Sequence, residues 1–176
     1  MIRILLLALL LNCQVSNPTL VDEFVHGEIQ SRKRVIEQAF ALWQVRGQVE
    51  VTAEKEKNQH RIIFTDTCTE DFLQGWRSTC LGVLASDQNM GGCSYKIEKS
   101  VIVIRRTYFQ NIDEAGRTTL LAHEIGHCMG LGHSEDQNEL MYPYLSNVPP
   151  AEAELAKLHS IWPEGHLFKF HLYEGY

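Results

Sequence analysis

The sequence predicts a single α+β domain, and three observations carry that expectation. A helical period near the start is followed by several short apolar runs of strand length, and two further helical stretches come after them. The 176 residues suit one ordinary hydrophobic core rather than two. Hydrophobic residues at 44% and charged residues at 22% give the balance of a chain that folds and dissolves. The formal charge of -6, with no basic block beyond Arg32-Lys33-Arg34, leaves no electrostatic footprint for nucleic acid. A monomer is expected.

The first twelve residues stand apart from the fold. Arg3 followed by the apolar run Ile4 to Leu11 reads as the charged and hydrophobic parts of an export signal. A membrane-spanning helix needs about 20 apolar residues, and this run stops at Asn12. Leu10-Leu11-Asn12-Cys13 resembles the lipobox of bacterial lipoproteins, with Asn12 departing from the usual small residue. That resemblance implies a lipid on Cys13, the chain's only expected membrane contact, and a place in the cell envelope. The alternative is plain secretion; palmitate labelling of wild type against Cys13→Ser separates the two. Residues 13–21 read as a tether and 22–176 as the domain. Cys68, Cys80, Cys93 and Cys128 remain, an even number in an exported chain, so disulfides are open in three pairings or replaced by buried thiols. Cys68 with Cys80 is the local pair favoured here, and Cys128 reads better as a small buried residue.

From Phe24 to about Arg46 an amphipathic helix is expected, with Ile36, Ala39, Phe40 and Trp43 at helical spacing and Gly47 ending it. Arg32 to Arg34 fall on or beside its polar face. Val49-Glu50-Val51 alternates as a strand, and Arg61 to Thr65 makes a second. Val101 to Ile104, apolar throughout, reads as a strand buried on both faces. Within the irregular stretch 66–98, Leu81 to Ser86 is the ordered part, its Gly82 hinting at an edge. Asn111 to Gly116 supplies capping residues for a helix through Leu120-Leu121-Ala122. Pro149-Pro150 precedes another helix from Ala151, and Leu167 to Leu172 alternates as a further strand.

The chemistry concentrates in His123-Glu124-Ile125-Gly126-His127-Cys128-Met129-Gly130-Leu131-Gly132-His133. Residues four apart share a helix face, so His123 and His127 can offer two imidazoles to one ion. Glu124 lies at the flank of that face, placed to handle protons. Gly130 can take a positive φ and turn the chain so that His133 folds back as a third ligand. Three neutral nitrogens suit zinc and leave a fourth position for water, the layout of a catalytic site. Five fixed positions match by chance at roughly one start site in 10⁷.

At these residues the sequence resembles the metzincin zinc endopeptidases, whose HExxHxxGxxH signature is complete here. Ser134 after the third histidine, Thr119 to Ala122 before the motif, and Leu140-Met141-Tyr142-Pro143 after it narrow the resemblance to the matrixin family. The resemblance implies a metzincin-like α+β fold: a twisted, mainly parallel sheet with an antiparallel edge strand, an active-site helix, and a C-terminal helix after the Met-turn. It makes Met141 the methionine beneath the zinc, Glu124 the general base, and the chain a zinc endopeptidase acting on protein or peptide substrates. Gly82, Val83, Leu84 and Ala85 would form the substrate-binding edge, with Pro143 and Tyr144 in the specificity wall.

The chain departs from the family at Met141-Tyr142-Pro143-Tyr144-Leu145, where the wall tyrosine is displaced, and it carries no recognisable cysteine-switch segment. Asp66, Glu70, Asp71 and Asp87 are scattered carboxylates that better fit a solvated loop than a calcium site. His26, His60, His159, His166 and His171 have no partner at ligand spacing. Two alternatives keep the scaffold and change the function: a catalytically retired surface binding module, or a zinc amidase acting on a cell-wall amide. Intact Glu124 argues against the first.

Overall fold

The computed structural model describes residues 18–52, 60–66, 92–93, 101–144 and 147–173. It divides into two compact units, Met1–Arg32 and Lys33–Tyr176. The described part of the first unit is the beginning of helix α1, which runs from Pro18 to Leu42. It starts inside the segment read as a tether, because Pro has φ pre-set for a first helical turn whose N–H groups lack partners anyway. Arg32 corrects a second expectation: it is buried rather than displayed on the polar face, and its Nη2 lies 2.8 Å from Glu28 Oε2 one turn back. Lys33 and Arg34 are half-buried and exposed, respectively.

The second unit contains the sheet and the candidate site. Its strands are β1 (Arg46–Thr52), β2 (His60–Thr65), β3 (Gly92–Cys93), β4 (Val101–Arg105) and β5 (Leu167–Tyr173). Their order across the sheet is β1-β5-β2-β4-β3. β1, β5, β2 and β4 are mutually parallel, and β3 closes one edge antiparallel to β4. This is the mainly parallel α+β architecture expected. The antiparallel edge described is Gly92–Cys93; Leu81 to Ser86 lie outside the described residues. β5, expected only as an added strand, occupies the interior, with Leu167 to Tyr173 paired to Arg46 to Thr52 on one side and Phe170 to Tyr173 paired to His60 to Ile63 on the other.

Register explains the core. Gly47, Phe168, Val49, Phe170, His60, Ile62, Leu172, Phe64, Ile102 and Ile104 fall on one face of the sheet. That face receives the Lys33–Leu42 part of α1, with Phe40 and Phe170 ring centroids 5.4 Å apart. Phe64 meets Phe109 edge-on at 4.8 Å. Ile36, Ala39, Phe40 and Trp43 are all buried, as their spacing predicts. In β2 and β4, Ile62-Ile63-Phe64 and Ile102-Val103-Ile104 are buried without alternation, so both faces of the sheet's interior are covered there.

The end of α1 is not at Gly47. Gln44 takes the left-handed turn with φ 55°, its N–H donating to Ala41 O at 3.0 Å and that of Val45 to Phe40 O at 3.3 Å. Those two bonds form a Schellman closure one turn earlier than expected. Gly47 is needed for a different reason: a Cβ there would sit 2.1 Å from the Phe40 ring.

Three more helices are described in the unit: α2 (Arg106–Asn111), α3 (Glu114–Cys128) and α4 (Glu152–Ile161). α2 was not legible in the sequence. Asp66 Oδ1 accepts from Thr107 N at 2.9 Å and Thr107 Oγ1 at 2.8 Å in its first turn. That engagement, led by the backbone bond, holds the Asp66 carboxyl below its usual range. Of the carboxylates considered for calcium, Glu70, Asp71 and Asp87 lie outside the described residues. α3 begins where the capping residues predict, with Asp113 Oδ1 accepting from Gly116 N at 2.7 Å.

Candidate metal centre

α3 carries the histidine motif, and its end is built to bring back a third imidazole. Gly130 has φ 97°, and the N–H groups of Gly130 and Leu131 donate to His127 O and Gly126 O, both at 3.0 Å. This is the same Schellman closure as in α1, here with glycine at the left-handed position where it costs least. Beyond it Ser134 N donates to Met141 O at 2.8 Å, pinning the segment that carries His133 to the turn at Met141.

The three imidazoles converge. His127 Nε2 lies 3.1 Å from His123 Nε2 and 3.1 Å from His133 Nε2. Their tautomers follow from the backbone: His123 Nδ1 is 2.8 Å from Leu140 O, and His127 Nδ1 is 2.9 Å from Leu131 O. A carbonyl only accepts, so both Nδ1 atoms carry the proton and both Nε2 lone pairs face the cluster. Lone pairs at 3.1 Å repel one another unless a cation lies between them. Tetrahedral zinc, with Zn–N near 2.0–2.1 Å, separates its nitrogens by about 3.3 Å. The donor set and its spacing therefore fit zinc.

Electrostatics favours the neutral ligand form. Burial, the neighbouring His127 and, more weakly, His133 lower the His123 pKa to about 4, against the opposing pull of the Leu140 carbonyl. Burial also lowers His127 and His133. Glu124 is buried, at 7% exposure, directly after His123.

Beneath the cluster the packing is close. A Cβ on Gly126 would lie 2.5 Å from Met141 Sδ and 2.8 Å from Trp43 Cζ2. Gly126 thus lets the buried Met141 thioether and the Trp43 indole press against α3. Trp43 is fixed there by its own bond, Nε1 to Ala122 O at 2.7 Å. From the other side Trp162 Nε1 donates to Met129 O at 2.7 Å. The Glu154 carboxylate accepts from Leu140 N at 3.1 Å, Met141 N at 2.8 Å and Ala151 N at 2.7 Å. Gly126, Trp43 and Glu154 were missed as site residues in the sequence. Their signals are a glycine between the first two histidines of the motif, a tryptophan at the helical spacing of the first apolar stripe, and a glutamate three residues into a helix.

Pro143 and Tyr144 are exposed, Tyr144 at 73%, with the Tyr142 and Tyr144 rings 5.7 Å apart. Gly82, Val83, Leu84 and Ala85 lie outside the described residues, as do Cys68 and Cys80. Cys93 belongs to β3, and Cys128 is a buried thiol in α3. Among the described residues no other cluster brings three metal-ligating side chains together, and no helix is long and apolar enough to cross a membrane.

A mainly parallel sheet, a helix bearing HExxH, a glycine turn and a third histidine above a buried methionine define a metzincin-type domain. Residues 23–159 match the family model described as Matrixin, and the chain belongs to the matrixin family of zinc-dependent metalloproteases. It is 27% identical over 173 aligned residues to Matrix metalloproteinase-B of Caenorhabditis elegans, covering 80% of this chain and 32% of that protein. Shorter stretches resemble Matrix metalloproteinase-18 of Xenopus laevis (56% over 34 residues; 19% of this chain, 7% of that protein) and human Matrilysin (46% over 35; 20% and 13%). The chain spans about a third or less of the length of these relatives. No solved structure matches it.

Proposed function

We propose that the chain is an exported zinc endopeptidase, lipid-anchored at Cys13 or secreted, that hydrolyses peptide bonds of extracellular or envelope proteins. The observation that carries the reading is the convergence of three Nε2 atoms, two of them on imidazoles whose Nδ1 protons are committed to backbone carbonyls. His123, His127 and His133 would hold one zinc ion. When bound, that ion supplies Lewis acidity, polarising a carbonyl and lowering the pKa of water to about 7.

The protein's own groups do the rest. Leu140 O and Leu131 O hold the first two imidazoles in the tautomer a metal needs. Glu124 takes a proton from the attacking water and returns it to the departing amine, a task suited to a carboxylate in a partly desolvated site. Met141, fully packed, supports the imidazoles from below. Pro143 and Tyr144 border the substrate, and the 82–85 segment offers it backbone pairing.

The test is zinc content together with cleavage of a broad peptide library, with Glu124→Ala as control. The expected outcome is stoichiometric zinc in both proteins and a 10²- to 10⁴-fold lower kcat in the variant. Zinc-loaded wild type that cleaves nothing, and matches Glu124→Ala, would return the chain to the binding-module reading. Cleavage confined to a peptidoglycan digest would make it the amidase.

A further inference from the structure

We infer that Glu154 is a positioning residue for metal binding, acting on His123 through one peptide unit. This rests on the reading that the three histidines hold zinc. The peptide between Leu140 and Met141 is bonded at both ends. Its N–H, on Met141, donates to Glu154 Oε1 at 2.8 Å, and its C=O, on Leu140, accepts from His123 Nδ1 at 2.8 Å.

The juxtaposition is a relay of carboxylate, peptide and imidazole. An anion at the N–H end of an amide draws electron density toward its oxygen, since hydrogen bonds in series polarise one another. The Leu140 oxygen therefore becomes a stronger acceptor, and the His123 ring, with its Nδ1 proton drawn away, a better donor at Nε2. Metal-bound histidines commonly get this help from a carboxylate or carbonyl directly at the second nitrogen. Here the carboxylate acts one peptide further back.

Three features indicate that Glu154 is built for this role. It is buried, at 6% exposure, where a carboxylate needs full hydrogen bonding. Its two oxygens accept three backbone N–H groups, from Leu140, Met141 and Ala151, so it is oriented from both the turn and its own helix. The Leu140 and Met141 side chains are both buried, which leaves the intervening peptide little freedom to turn away.

The experiment is zinc affinity measured by competition with a chromophoric chelator, on wild type, Glu154→Gln and Trp162→Phe. Gln keeps the size of the side chain and removes its charge. Trp162→Phe removes the other bond from this region to the metal helix without touching the relay. Glu154→Gln is expected to bind zinc 10- to 100-fold more weakly, the usual loss for an outer-shell partner. Trp162→Phe should lower the melting temperature while leaving zinc affinity within about twofold. A folded Glu154→Gln with wild-type zinc affinity overturns the relay and leaves the metal reading intact; wild type that binds no zinc overturns the metal reading itself. Should Glu154→Gln not fold, ¹H–¹⁵N spectra of wild type decide. The relay requires a downfield, slowly exchanging His123 Nδ1 proton and a downfield Met141 amide proton, and ordinary shifts for both would refute it.

Discussion

Gly126 shows how one missing methyl group can shape a site. Alanine there would gain about 1 kcal/mol in helix propensity. Against that, a Cβ 2.5 Å from Met141 Sδ and 2.8 Å from Trp43 Cζ2 overpacks the core. The thioether can swing aside, but the indole is pinned by its bond to Ala122 O. Overpacking typically costs about 1–3 kcal/mol, so the steric side wins. Gly126→Ala should lose up to about 2 kcal/mol in a urea titration, and a raised midpoint would mean that the contact relaxes freely. The three clustered histidines were legible because their spacing is chemistry written along a helix. The groups beneath them were not, because Trp43 and Glu154 reach the site through folding rather than through spacing.

The two Schellman closures allow a comparison between helix ends. In α3 the left-handed position holds Gly130 and in α1 it holds Gln44. A left-handed conformation costs a non-glycine residue roughly 1–2 kcal/mol. Gln44→Gly is therefore expected to stabilise the protein by about 1 kcal/mol, read as a higher denaturation midpoint at unchanged slope. A loss of stability would show that the Gln44 side chain contributes something its exposed position hides. The same comparison explains which elements could be read. α3, α4, β2 and β4 announce themselves by capping residues, flanking prolines or unbroken apolar runs. α1 ended early because a glutamine does glycine's work, and α2 was invisible because six residues carry too little period.

Acid sensitivity belongs to the whole molecule, because several imidazoles contribute with one sign. His123 has its pKa lowered to about 4, and burial also lowers His127, His133 and, with help from His166 and His171, His60. An unfolded chain takes these protons near pH 6.5, before the folded one does. The stability is thus fully present above pH 6.5 and is lost as pH falls toward 4, with His123 alone accounting for up to about 3 kcal/mol. Thermal melts of chelator-treated protein at pH 7.5 and pH 5 should differ clearly; equal melting temperatures would mean that the imidazoles charge without unfolding anything.

β5 is synthesised after β1, β2, β3 and β4, yet it takes a seat between β1 and β2. Its pairing with β1 spans about 120 residues of sequence. In the sheet β1 and β2 lie about 9–10 Å apart, and β5 fills the space between them. All three metal-ligand candidates are already present by residue 133, and the family match ends at residue 159, so both precede the strand that joins the sheet. In this chain the family match therefore stops short of a strand that the interior of the sheet contains. The emerging polypeptide carries the three clustered histidines before it holds the strand that joins β1 to β2.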